Sequence, residues 1–367
     1  MYLRTLRLQN FRNYPSETIH FSPGLNVLTG KNAQGKSSVI EALSLFSTSK
    51  SFRTNQMLDL VRKNTESFLI EGLIDTHSTK DFIRFLYHAK EKKSTFQHNL
   101  TQYASFSRIL GILPGVFSVP SDIELLSSPN ERRRFLNIDL AQKDPFYVHH
   151  LLRYNRAMKQ RNALLRKMAF AAIDPWEREM AKSAAYITKK RQLFLENMEK
   201  PFIQYMQKLS AEDEVRYLFT PSIAVSEQIE QKYLHMLHKS RHKEAHVGYT
   251  LKGPHRDDFI CQINGIDSKS FSQGQKCSIV LAMRLAQREE LAKNVGHPIV
   301  FCIDDFGMGL DSARKKQLQK VLEESLNLGQ IFITSPEKEP FLSDSAHFFS
   351  VSQGAVTRNE LAKAKSS

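Results

Sequence analysis

The spacing of apolar positions divides the chain into three stretches. In the first ~115 residues the repeats are short. Leu3-Arg4-Thr5-Leu6-Arg7-Leu8 alternates as a half-buried strand does. Residues 25–29 form a short apolar run, predicting a strand buried on both faces, and 38–46 carry apolar side chains at helical spacing. Residues 68–74 and 82–87 predict successive antiparallel strands. From Glu131 to about Leu209 the pattern turns helical, with few glycines. Asp174-Pro175-Trp176-Glu177 is a helix start, with an Asp cap, Pro at the first helical position and Glu three residues after the cap. Trp176, Met180, Ala184, Ile187, Phe194, Met198, Phe202, Tyr205 and Leu209 then recur at steps of mostly three and four, with an interruption at Arg191. A helix of that reach is about 50 Å long at ~1.5 Å per residue. An antiparallel partner is expected through Leu152, Met158, Leu165 and Met168, making a helical hairpin or short coiled coil. The last third returns to alternating elements: an amphipathic helix from Cys277 to about Lys293, buried strands at 297–303 and 330–335, and a polar tail after Leu361 expected to fray. These patterns predict an α/β chain with a β-rich side and an inserted helical, coiled-coil-like arm, divided as 1–115, 116–250 and 251–367.

Composition narrows the class. At 367 residues, with 41% hydrophobic and 25% charged side chains, the chain has the balance of a globular protein large enough for two or three domains. Its net charge of +14 attracts polyanions. Residues 151–200 hold 12 Lys/Arg against 5 Asp/Glu, an excess of seven, and Arg153, Arg156, Arg161, Lys189 and Lys190 are candidate DNA contacts there. A solvated helix face explains the same charges equally well. Cys261, Cys277 and Cys302 show neither zinc spacing nor an even count for disulfides, which fits a reducing compartment. No window approaches the ~18–20 apolar residues that span a bilayer. The expectation is a cytoplasmic protein that needs no membrane.

The chemistry concentrates in three strings. Gly30-Lys31-Asn32-Ala33-Gln34-Gly35-Lys36-Ser37 matches the phosphate-binding loop G-x-x-x-x-G-K-[ST], and it has a strand before it and a helix after it. Backbone N–H groups of such a loop cradle phosphates, Lys36 neutralises the terminal phosphates and the Ser37 hydroxyl can ligate Mg²⁺. The apolar strand near 300 ends in Asp304-Asp305. Asp304 is expected to hold Mg²⁺ directly or through water, and Asp305 to polarise the attacking water. Roughly 265 residues separate loop and acids, room enough for the inserted arm. Between them lies Ser272-Gln273-Gly274-Gln275, at the start of a helix. Ser272, Gly274 and the helix N–H groups offer a second anion site. Since the first cradle is complete, the second makes sense against a nucleotide held by another subunit, the arrangement of ABC-type ATPases.

At this point the chain resembles a particular family. Leu8-Gln9-Asn10-Phe11-Arg12-Asn13-Tyr14, the loop at 30–37, Ser128-Pro129-Asn130-Glu131-Arg132-Arg133-Arg134-Phe135-Leu136, Tyr154-Asn155-Arg156 with Gln160-Arg161-Asn162, Gly253-Pro254-His255-Arg256-Asp257-Asp258 and Ser272-Gln273-Gly274-Gln275 are similar to the motif series of the RecF family. These are bacterial recombination mediators built as SMC/Rad50-like ATPase heads. The resemblance runs to about residue 335. It implies ATP binding by the loop with Mg²⁺, Arg12 near the base or ribose, and Ser272, Gly274 and Gln275 contacting ATP across a dimer, with Asp311 at the dimer interface. It further implies an ATP-dependent homodimer that clamps single-stranded and duplex DNA at gaps and junctions, with RecO and RecR as partners in loading recombinase, and roles in replication, repair and SOS induction. The activity implied is primarily ATP-switched DNA binding, with a slow DNA-stimulated ATPase at most.

The chain departs from the pattern twice. Met308-Gly309-Leu310-Asp311 replaces the usual Ser-Glu-Leu-Asp, and Phe117-Ser118-Val119-Pro120-Ser121-Asp122 replaces F-S-P-E-D. Arg132 and Arg133 are candidate DNA contacts, although arginines on a short helix also pair with a protein's own acids. His149-His150 and the helically spaced His235, His238, His242 and His246 lack the partners of a metal site. Two rival classes remain. An SMC/Rad50-type chromosome organiser would need a far longer coiled coil, and the arm argues against a transporter's nucleotide-binding subunit.

Overall fold

Strand β1 (Tyr2–Phe11) opens the chain, and its buried positions are Leu3, Leu6, Leu8 and Phe11. The step of three between Leu3 and Leu6 is resolved by a register shift between Leu3 and Thr5 in its pairing with β4 (Ser67–Asp75). Such a bulge returns the strand to the same face. The structure, a computed structural model, describes residues 1–76, 79–103, 110–210, 214–267, 270–337 and 346–359. The tail after Leu361 lies outside them.

The chain divides into two compact units. The first comprises Met1–Asp122, Tyr205–Ala211 and Gln273–Ser367. It holds an antiparallel sheet, in the order β2-β1-β4-β5-β6-β7, completed by β2 (Tyr14–His20), β5 (Lys80–His88), β6 (Lys93–His98) and β7 (Thr101–Tyr103). A second sheet has the order β15-β14-β3-β13-β12-β8, formed by β3 (Leu25–Thr29), β8 (Gly115–Ser118), β12 (Val300–Ile303), β13 (Ile331–Ser335), β14 (His347–Ser352) and β15 (Ala355–Arg358). From β14 across to β8 its strands run parallel, and only β15 is antiparallel. Strands at 68–74 and 82–87 pair antiparallel as expected.

Helix α1 (Lys36–Thr48) is buried around most of its circumference, and Val39, Ile40, Ala42, Leu43 and Leu45 are all fully buried. Here side chains of both sheets join α1 in one core. Gly72 of β4 leaves room for it, since a Cβ there would stand 2.9 Å from the Phe46 ring. Helices α6 (Gln273–Val295) and α7 (Ser312–Glu324) complete the unit.

The second unit comprises Ile123–Gln204 and Glu212–Ser272. The helical stretch expected over 116–250 forms most of it: α2 (Pro129–Lys143), α3 (Pro145–Arg166), the greater part of α4 (Asp174–Leu209) and α5 (Ile229–Val247). A three-stranded sheet, β11-β10-β9, has no counterpart in the sequence pattern; it consists of β9 (Val215–Thr220), β10 (Asp258–Ile263) and β11 (Ile266–Asp267). Because β10 pairs with β9 from beyond α5, the unit extends past residue 250. The apolar series on α4 is buried from Met180 to Leu209. On α3 the inward face is Tyr147, Tyr154, Ala157, Arg161 and Leu165, while Leu152 on that helix and Met168 beyond its end are exposed. Of the expected seam Leu165 is buried, and beside it Arg161 adds polar contacts to α4 and to a third helix, α5.

Candidate nucleotide-binding site

The loop at 30–35 connects β3 to α1, in the middle of the parallel sheet and at the carboxyl ends of its strands. Gly30 has φ 147° and Gly35 has φ 120°, values that side chains other than hydrogen rarely allow. A Cβ on Gly30 would lie 2.3 Å from the Val351 carbonyl oxygen, and one on Gly35 would lie 2.8 Å from both Asn13 Nδ2 and the Tyr14 hydroxyl. Gln34 is braced from two directions. Its carbonyl accepts from Asn13 Nδ2 (2.9 Å) and from the Gly354 N–H (3.2 Å), and its Oε1 accepts from the Gln353 N–H (2.8 Å). The start of α1 carries neither a capping side chain nor an acid in its first turn. Its N–H groups and dipole favour an anion there.

Lys36 Nζ donates to the carbonyls of Gly30 (2.5 Å) and Lys31 (3.0 Å). Burial lowers the pKa of its ammonium, and the carboxylates of Asp305 and Asp304 counter that effect. Asp304 directly follows β12, is largely buried, and accepts a hydrogen bond from Thr334 Oγ1 (2.7 Å), with the Ser37 hydroxyl close enough to favour its charged form. Desolvation raises its pKa against the pull of the Thr334 and Ser37 hydroxyls. Strand β13 stands between β3 and β12, so the loop and the acids are not on neighbouring strands. Asp305 has φ 57°, a left-handed conformation costing a non-glycine residue about 1–3 kcal/mol. Its N–H donates to Thr334 Oγ1 at 2.8 Å.

Arg12 occupies the two-residue turn between β1 and β2. Its guanidinium grips Glu41 of α1 in bidentate fashion (2.8 and 2.7 Å) and donates to the Asp59 carbonyl (2.9 Å). Glu41 is fully buried, and the Ser51 hydroxyl also donates to it. The segment that follows α1 folds back over this turn through Arg12 N–H to the Leu60 carbonyl and Arg62 N–H to the Asn10 carbonyl, both 2.8 Å.

A cavity of about 460 Å³ results. It brings together Asn32, Ala33, Gly35, Lys36 and Ser37 of the loop, Arg12 of the turn, and Asp305 beyond the acid strand. Asn13, Ser38, Arg53, Asp59 and Val61 also line it, and the sequence alone does not mark them as site residues. Asn13 stands inside a family string. Arg53 and Asp59 carry no periodic or motif signal and reach the cavity only because their segment folds back. Gly30, Lys31 and Gln34 shape the loop without lining this cavity.

Residues assigned to a second subunit's nucleotide have other neighbours within this chain. Gly274 lies in the first turn of α6, where a Cβ would meet Arg314 Nη1 at 2.5 Å. Neither it nor Gln275 lines the cavity. Ser272 directly precedes that helix. Asp311 caps α7, accepting from the Arg314 N–H at 2.8 Å. In the divergent segments, Met308 is exposed, and buried Asp122 takes both arms of Arg284 from α6 (2.8 and 2.5 Å).

A family model described as an AAA ATPase domain matches residues 1–247. The DNA replication and repair protein RecF of Protochlamydia amoebophila is 40% identical over 92% of this chain and 94% of its own length. The chain belongs to the RecF family. A solved structure of the recombination mediator protein RecF-ATP in the RecFOR pathway superposes with a TM-score of 0.89 at 31% identity, over 98% of both chains. An Smc head domain from Pyrococcus furiosus shares the fold, with a TM-score of 0.59 at 18% identity over 98% of this chain and 96% of that one.

For a RecF-family chain the arginine strings take on a different meaning. Arg132 clasps Asp258 with two bonds (2.7 and 2.8 Å) and donates to the Leu125 carbonyl, leaving it 6% exposed. Arg161 is completely buried among Glu177, Glu244 and Thr250. Both therefore leave the set of candidate DNA contacts, because a desolvated, paired guanidinium cannot meet a phosphate. Arg133 donates to the Asp257 carbonyl (3.0 Å) and to Asn130, Arg153 forks onto Glu179, and Lys190 pairs with Asp144 at 2.8 Å. Arg156 and Lys189 are exposed. The Ser37 hydroxyl beside the Asp304 carboxylate is a pair of hard oxygen donors, which fits Mg²⁺. Among the described residues, one further grouping could hold a metal by distance: Asp174, Glu177 and His238. Arg241 already bridges its two acids, and Arg161 adds a second cation at Glu177. That cluster is an ion-pair network. No helix among the described residues is long and apolar enough to cross a membrane.

Proposed function

We propose that this RecF-family chain is an ATP-dependent DNA-binding protein of replication and recombinational repair, with ATP and Mg²⁺ bound in the cavity at the loop. The observation that carries this reading is the convergence of Lys36, Ser37 and Asp305 on one cavity, with Asp304 held beside it by Thr334. Lys36 would neutralise the terminal phosphates. Ser37 and Asp304 would hold the Mg²⁺, which when bound supplies charge neutralisation to the phosphates. Asp305 would orient water for a slow hydrolysis, and Arg12 would shape the base or ribose end while anchored on Glu41.

In this reading Ser272, Gly274 and Gln275 complete a second copy's site, with Asp311 at the same interface. Two chains joined by ATP would then clamp DNA at gaps and single-strand/duplex junctions, acting with RecO and RecR to load recombinase. Support for the dimer comes from the position of Gly274 and Gln275 away from their own chain's cavity lining. The arm would contribute Arg156 and Lys189, with Arg133, Arg153 and Lys190 available on release from their present partners. Sedimentation with and without ATP tests the reading. The wild type should dimerise with ATP and Lys36→Ala should remain monomeric. ATP-dependent dimers of that variant would refute the site.

A further inference from the structure

Thr334 is the last residue but one of β13, the strand that separates the loop strand from the acid strand. It is completely buried and makes hydrogen bonds to three consecutive residues. Its Oγ1 donates to Asp304 Oδ1 (2.7 Å), the same Oγ1 accepts from the Asp305 N–H (2.8 Å), and its carbonyl accepts from the Phe306 N–H (2.8 Å). One hydroxyl thus uses its proton on one acid and a lone pair on the backbone of the next. The geometry leaves no choice of direction, since an N–H can only donate and the carboxylate only accept.

The backbone it holds is the unusual one. Asp305 sits at φ 57° without being glycine, and that conformation persists only where its surroundings over-determine it. Gly307 and Gly309 follow with φ 70° and 78°, so the chain bends sharply straight after the acids. Asp304 is tied on its other side, its N–H donating to the Ser118 carbonyl at 2.9 Å. On the Asp305 side, the Thr334 hydroxyl supplies the tie, and the carboxylate of Asp305 reaches the cavity from that held backbone.

We infer that Thr334 is a positioning residue for ATP hydrolysis: its hydroxyl fixes the Asp304 carboxylate and locks the left-handed turn that aims Asp305 into the nucleotide cavity. This rests on the reading of Asp305 as the group that orients water. Thr334 itself lies outside the cavity lining and is not expected to touch the nucleotide. Serine keeps the hydroxyl. Valine keeps the branched shape and volume and removes both hydrogen bonds.

The test compares T334V, T334S and Asp305→Asn in the full chain, with ATP and gapped duplex DNA. In T334V, ATP affinity should stay within about threefold of wild type while single-turnover hydrolysis falls by at least about tenfold, since small misplacements of reacting groups cost up to ~10²-fold. T334S should restore hydrolysis to within about threefold, and T334V combined with D305N should be no slower than D305N alone, as groups acting through one another are non-additive. Wild-type hydrolysis in T334V, hydrolysis in T334S as slow as in T334V, or equal losses of binding and hydrolysis would each overturn the inference. Where T334V does not fold, Thr334→Cys, with its weakly hydrogen-bonding thiol, takes its place with the same expectations. If D305N hydrolyses ATP at the wild-type rate, the reading of Asp305 falls instead. D305N slow with T334V fast removes only the role of Thr334.

Discussion

Arg156 and Arg161 lie five positions apart on α3, one exposed and the other shut off from solvent. The difference follows from helix geometry, since five residues turn the chain by about 140° relative to a face. Arg161 then meets Glu177 of α4 and Glu244 of α5, at 2.9 and 2.6 Å. Removing one member of a buried pair leaves the others desolvated and unmatched, at a cost of about 3–5 kcal/mol. Arg161→Ala is expected to destabilise the second unit by that order, measured as a lower urea midpoint of the Trp176 fluorescence transition. Trp176 is the chain's one tryptophan and lies in that unit. Arg156→Ala should leave the midpoint in place, within the ~0.5 kcal/mol usual for surface changes. Equal effects of the two substitutions would contradict the burial contrast.

At the scale of the element, the break in the apolar series of α4 has a physical cause. Arg191 lies on the inward face, where it donates to Asp257 (2.9 Å), the Pro254 carbonyl (2.5 Å) and the Tyr147 hydroxyl (3.1 Å). The Gly253–Asp258 string is therefore a hub of the second unit. Within it, His255 Nδ1 accepts from the Tyr154 hydroxyl at 2.6 Å while Nε2 donates to the Thr250 carbonyl at 3.1 Å. Burial depresses its pKa from 6.5 to about 4. Above pH 6.5 the folded and unfolded states are both neutral at this site, and its contribution is complete. Between pH 6.5 and about 4 the unfolded chain takes up a proton that the folded one refuses, so stability is lost as the pH falls, by up to about 3 kcal/mol. The Trp176 urea midpoint should drop between pH 7 and pH 5, and more steeply in the wild type than in His255→Gln. Parallel pH profiles would remove His255 as the source.

For the whole molecule, the excess positive charge of residues 151–200 is partly spoken for by internal pairs, which leaves Arg156 and Lys189 as the exposed members of the candidate DNA-binding set. Reversing both to Glu should weaken DNA binding and flatten its salt dependence, because every phosphate that is no longer neutralised takes about 0.9 off the log–log slope for duplex DNA. An unchanged slope would move the DNA to another surface. Much of the molecule is legible in the sequence, and for a local reason. The run at 25–29, the glycines at 30 and 35, Lys36, Ser37 and the strand before Asp304 are contiguous patterns whose geometry depends on near neighbours, and they settle the α/β class and the phosphate loop. Tertiary structure decided what depends on residues distant in sequence. It set β13 between the loop strand and the acid strand, brought Arg53 and Asp59 to the cavity, joined β10 to β9 across α5, and buried Arg132 and Arg161 against acids up to 126 residues away. A charge in a sequence is the same letter whether it meets water or a carboxylate, and only the folded chain determines which.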